Sequence, residues 1–100
     1  MNRQKALNLL GLAMRAGKLI TGEELTINEI RKQKVSLVLV ASDASENTRK
    51  KVTDKSNFYQ TTCLVEFTES ELAHAIGKPR KVIGVMDQGF AKKMVSLIQG

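Results

Sequence analysis

The segment Val35-Ser36-Leu37-Val38-Leu39-Val40-Ala41 constrains this chain more than any other. It is short, almost unbroken in apolar character and rich in branched side chains. A strand with one wet face alternates apolar and polar residues; this one does not, so it reads as a strand covered on both faces. Gln33-Lys34 before it and Ser42-Asp43 after it bound it too tightly for a helix. A strand covered twice needs helices above and below, and the rest of the chain supplies them.

Asn2 is placed to cap a first helix running to about Ala16, with Ala6, Leu9, Leu10, Ala13 and Met14 on one apolar stripe. Gly17 suits the left-handed residue that ends it. Leu19-Ile20 is a short strand candidate. Thr21 and Glu24 have capping-box spacing, so a second helix is expected from near Gly22 to about Gln33. Within it Ile27 and Ile30 share a face, while Leu25 points roughly 140–160° away, toward the side of Asn28 and Lys32. A very polar third helix follows Ser42-Asp43-Ala44-Ser45 and runs to about Lys55, with Thr48 and Val52 inward.

Thr61 to Phe67 reads as the next strand. Thr68 and Glu71 repeat the capping box and open a short helix that buries Leu72, Ala73 and Ile76. Gly77 and Pro79 end that helix. Lys81 to Met86 is the last strand. The last helix runs from about Gly89 to Gln99 and buries Phe90, Met94, Leu97 and Ile98. Strands separated by helices predict an α/β fold: a single-domain α/β/α sandwich around a small four-stranded mixed sheet. With no linker, repeat or low-complexity segment, residues 1–100 are expected to form one unit.

The composition narrows the partner. At 42% hydrophobic residues the chain can build a core without staples, and its one Cys allows no internal disulfide. No run approaches the ~20 apolar residues of a membrane span. The N-terminal residues do not resemble a signal peptide, so a cytoplasmic, membrane-independent protein is expected. Sixteen Lys and Arg against ten Asp and Glu give a net charge of +6. A small basic domain points to a polyanion partner, RNA or DNA before membrane.

Catalytic chemistry has little to work with. One His and one Cys do not make a usual zinc site. No glycine-rich phosphate loop and no nucleophile elbow is present. His74 reads as a partly exposed structural residue and Cys63 as an inert buried thiol. No catalytic residue, metal, cofactor or small-molecule substrate is expected. What remains is a binding surface. Arg15, Lys18, Thr21, Gly22, the start of the second helix and Lys32 are expected to cluster, because Gly17 and Gly22 flank a very short strand. Gly22 at a helix start lets another molecule approach free amide groups. Glu23 and Glu24 either accept hydrogen bonds from splayed bases or only balance the helix dipole.

Three stretches carry a resemblance that covers essentially the whole chain in order. They are Ala16-Gly17-Lys18-Leu19-Ile20-Thr21-Gly22, Val40-Ala41-Ser42-Asp43-Ala44-Ser45, and Thr68-Glu69-Ser70-Glu71-Leu72-Ala73-His74-Ala75-Ile76-Gly77-Lys78-Pro79. Together they resemble the ribosomal protein family of L-seven-Ae and L-thirty-e, and Asp87-Gln88-Gly89-Phe90-Ala91 is similar to a bacterial branch of it. The resemblance implies an α/β/α sandwich that binds RNA, many members binding kink-turns, which are sharply bent internal loops with tandem sheared G·A pairs.

Members of that family use the glycine opening the second helix, then Asn-Glu and a Lys four residues past the Asn, against the guanines. Gly22 matches; Glu24, Leu25 and Asn28 stand where the family has Asn, Glu and Lys. The resemblance places Lys32 at a phosphate contact. It places Glu66-Phe67 in the loop that gives apolar contact to a base, where Phe67 would stack. It thus implies a non-enzymatic ribosomal or ribosome-associated RNA-binding protein, monomeric when free. The alternative is a protein-interaction module using Leu25 and Phe67.

Overall fold

The apolar run becomes strand β2, which in the computed structural model, describing residues 1–100, is limited to Leu37–Val40 with all four residues buried. Val35 and Ala41 continue the core on either side. Strands β1 (Leu19–Thr21), β3 (Cys63–Leu64) and β4 (Val82–Val85) complete one sheet in the order β1-β4-β2-β3. β4 runs antiparallel to β2, with Leu37 opposite Val85 and Val40 opposite Val82. β1 is antiparallel to β4 and β3 parallel to β2, so the sheet is mixed as expected.

Helices cover both faces. α1 (Arg3–Arg15), α4 (Glu69–Ile76) and α5 (Gln88–Gln99) pack together on one side, and α2 (Glu23–Arg31) with α3 (Glu46–Phe58) on the other. The core joins Leu10, Ile30, Val52, Leu72 and Met94 to the two inner strands. Leu9, Met14, Phe90 and Leu97 pack half-buried on its margin, and Ala73 is likewise half-buried.

Local chemistry sets most helix starts. Asn2, Ser45, Thr68 and Asp87 each accept a hydrogen bond from a backbone N–H of the first turn they precede, and Thr68 with Glu71 forms a full capping box. The capping box expected from Thr21 to Glu24 does not form. Thr21 stays in the sheet opposite Ile83, and Gly22 is the N-cap at φ 98°, with no side-chain cap. The Gly22 N–H is held at 2.9 Å by the Val82 carbonyl, and the chain can turn there only through a conformation that favours glycine.

Two further boundaries differ from the sequence reading. β3 stops after Leu64, where Thr61 to Phe67 was expected, because the chain turns inward so that the Phe67 ring enters the core. The Phe67 carbonyl then accepts from the Ser42 N–H at 2.8 Å. α3 runs about one turn past Lys55, to Phe58.

Gly84 in β4 fixes how closely α2 sits on the sheet. A Cβ there would lie 2.7 Å from Ile20 Cγ2 and 3.1 Å from the methyl of fully buried Thr26. Both are short branched groups that cannot swing aside. The Gly84→Ala variant is therefore expected to lose about 1–3 kcal/mol of stability in urea titration, through overpacking. Unchanged stability would show that α2 has slack on the sheet.

Candidate nucleic-acid interface

Strand direction sorts the loops to two ends of the molecule. At one end lie Gly22 and the start of α2, the Ala41–Ser45 loop into α3, Glu66–Thr68 before α4, and Pro79–Lys81 before β4. Backbone and side-chain bonds tie this end together. Gly22 bonds Val82, Ala41 N–H bonds the Lys81 carbonyl at 2.8 Å, and Glu69 N–H bonds the Asp43 carboxylate at 2.9 Å.

The tip of α2 is its centre. Gly22 is half-buried, and nothing stands within 4 Å of where a Cβ would point, so another molecule can come close. No side chain satisfies the first-turn amides of α2, which leaves hydrogen-bond donors at the positive end of the helix dipole. Leu25 projects from this tip, 58% exposed. Glu24 is exposed beside it, as is Asn28, whose side-chain oxygen accepts from Arg31 at 3.3 Å.

Glu23 is already engaged. The Lys51 ammonium lies 3.1 Å from one carboxylate oxygen, and the Thr48 hydroxyl donates to the other at 3.0 Å. These donors, Lys51 first, hold the Glu23 pKa below the usual carboxylate range. These bonds dock α2 onto α3 through Glu23. Thr48, Lys51, Arg80 and Lys81 flank shallow hollows around it. The sequence reading missed Lys51, Arg80 and Lys81, because they come from α3 and from the loop before β4.

Two expectations are corrected. Arg15, Lys18 and Lys32 do not cluster with Gly22. β1 is extended, so Lys18, whose carbonyl accepts from Met86 N–H, sits at the far end of the sheet, about 13 Å away along the strand. Lys32 is the C-cap of α2, about 15 Å from its start. In a molecule 29 × 26 × 24 Å across, that is half its width.

The second correction is Phe67, which is 1% exposed and cannot stack on a base. Arg3 lies over its ring, 5.0 Å from the centroid, and grips the Glu71 carboxylate through two hydrogen bonds of 2.6 and 2.7 Å. Arg3 also donates to the Glu66 carbonyl at 3.1 Å, so it fastens this loop from outside. Glu66 is exposed, and the exposed apolar residue of the loop is Val65, at 38%. His74 is exposed on α4. Cys63 is half-buried, with burial pushing its thiol pKa up.

A glycine-opened helix tip at one end of a mixed sheet, between two helical layers, matches a recognised lineage. Residues 4–95 fit the Ribosomal protein L7Ae/L30e/S12e/Gadd45 family, and the chain belongs to that family. It is 65% identical over 99 residues to "RNA-binding protein YlxQ" of Enterococcus faecium, covering 99% of this chain and 96% of that one. It is 50% identical over 91 residues to the protein of the same name from Bacillus subtilis (strain 168), covering 90% and 91%. Among solved structures, a Bacillus halodurans C protein described as of unknown function superposes with a TM-score of 0.93 at 45% identity, covering 96% of this chain and 98% of that one. The Giardia lamblia 15.5kD RNA binding protein shares the fold, with a TM-score of 0.84 at 15% identity, covering 99% and 89%.

The clamp on the Phe67 loop gives a pH signature. Arg3, then the Thr68 N–H, hold the Glu71 carboxyl well below the usual range, at about 2. The unfolded chain binds that proton more readily. The stabilisation is therefore complete above the ordinary carboxylate pKa and is lost as pH falls toward about 2. Arg3→Ala is expected to cost roughly 1 kcal/mol or less at pH 7, since both side chains are partly in water. It should also make denaturation midpoints less steep between about pH 5 and pH 2. An acid limb identical to that of the parent chain would rule the clamp out.

Proposed function

We propose that this chain is a non-enzymatic, single-domain RNA-binding protein of the ribosomal or ribosome-associated kind, and that the start of α2 reads a kink-turn-like element. The observation that carries the reading is the uncapped, glycine-opened tip of α2, with Leu25 projecting from it and Glu23 held beside the cations of α3 and the β4 loop. The printed names of the Enterococcus faecium and Bacillus subtilis relatives support RNA as the partner. A net charge of +6 supports it as well.

Each residue then has a physical role. Gly22 admits the RNA backbone, and the first-turn amides of α2 with Thr21 beside them offer donors. Glu24 accepts from base amines, Asn28 bonds base edges, and Leu25 packs on them. Glu23, held by Lys51, fixes the angle of the tip. Glu66 and Val65 border the site, while Phe67 supports it from within. Lys18 and Lys32, lying farther off, meet phosphates of the flanking stems. No helix is long and apolar enough to cross a membrane; a monomer working in the cytoplasm is part of the proposal. The rival protein-docking patch needs Phe67 at the surface, and Phe67 is buried.

Gel titration against a kink-turn, its G·A-disrupted variant and a plain duplex, each at two salt concentrations, tests the reading. The kink-turn is expected to bind tightest. Leu25→Asp should weaken kink-turn binding about tenfold while leaving the duplex unchanged. Lys32→Ala should weaken all three alike and lower the logarithmic salt slope by roughly one contact. Equal affinity of the unaltered chain for the kink-turn and its disrupted variant would end the proposal.

A further inference from the structure

We infer that the RNA surface does not stop at the tip of α2 but continues along α3 and ends on Phe58, a stacking platform for an unpaired base. The inference rests on the RNA reading above and extends it from a bent duplex to an adjoining single strand.

Phe58 is the last residue of α3 and is 77% exposed, more than any other large apolar side chain of the molecule. Its ring meets Tyr59 edge-to-face, centroids 4.9 Å apart, which steadies it and leaves ring surface open to solvent. A ring so exposed and braced offers a flat face on which a base can stack. Phe58 follows Lys55 by three residues and Lys51 by seven, so the three share one stripe of α3. Lys51 is also the residue that holds Glu23, so the stripe begins at the proposed site. It spans about 10 Å from Lys51 to Phe58, a little under two nucleotides of stretched strand.

Charge along the stripe favours a polyanion. Lys55 has no carboxylate partner, and the neighbouring Asp54 is neutralised by Lys50 at 2.9 Å. Across an open cleft that Glu24 and Ile27 also line, Arg31 and Asn28 of α2 face Lys51. Cations tracking a backbone toward an aromatic ring are the parts of a single-strand binding surface. A protein helix would instead need apolar anchors three, four and seven residues away. Here those positions are Lys55, Asp54 and Lys51. Bases inside a duplex have both faces covered by their neighbours, so a base that stacks along this stripe is an unpaired one.

The test uses the whole chain and a kink-turn RNA made blunt or with a six-purine unpaired extension at either end. The unaltered chain is expected to bind one extended form about tenfold tighter than the blunt form. Phe58→Ala should lose that gain and still bind blunt RNA like the parent. Phe58→Leu should lose it too, being apolar without a flat ring. Phe58→Trp should keep it; as the only Trp in the chain, its fluorescence should fall with the extended RNA and not with the blunt. If Phe58→Ala retains the full gain, or no extension gives one while blunt RNA still binds, the inference fails and the kink-turn reading stands. If the parent chain binds neither RNA, both fail. If Phe58→Leu keeps the gain, the patch is a generic apolar contact and the stacking role is overturned.

Discussion

The antiparallel pairing of β2 with β4 is the contact from which the rest of the molecule takes its position. All four residues of each strand are buried, so both faces of this pair must be covered. The pairing also decides which loops meet. Because Val40 stands opposite Val82, the end of β2 and the start of β4 lie together. β1, antiparallel to β4, brings Gly22 to the same edge. A tip built from four chain segments is thus a consequence of strand direction, and Gly84 lets α2 settle close enough to hold it there.

The tip is organised by ionic contacts that fix helices relative to one another. Glu23 joins α2 to α3 through Lys51 and Thr48, and Arg3 joins α1 to α4 while covering Phe67. Each is modest in energy, since its members remain partly solvated. Their value lies in geometry. They hold the uncapped amides of α2 and the exposed Leu25 at set angles without occupying them. A partner meeting this surface would find donors, a carboxylate and an apolar knob already in place, so little ordering would be needed on binding.

Much of this was legible in the chain itself. The almost unbroken apolar run reads as an inner strand, and the three- and four-residue spacing of apolar residues around Leu10, Ile30 and Met94, each in its own helix, marks the faces that cover it. Leu25 stood out because it broke the pattern of its own helix, and it is exposed. The errors share one cause. Phe67 looked available because a loop position says nothing of which way its ring turns, and the free energy of burying a Phe outweighed exposure. Lys18 and Gly22 looked adjacent because four residues is a short distance in sequence, whereas an extended strand carries them to opposite ends of the sheet.

What the sequence determined alone is therefore the periodic part: five helices, four strands, their layering, and a glycine at the head of α2. Those properties depend on neighbours within a turn or a strand, and a local pattern suffices to set them. Only the tertiary structure decided which cations border the tip and which aromatic remained outside. Lys51, Arg80 and Lys81 come to the tip from separate elements, and Phe67 turned into the core while Phe58 stayed at the surface. Both outcomes depend on contacts between residues far apart in the chain, and a one-dimensional pattern holds no record of distances across a sheet.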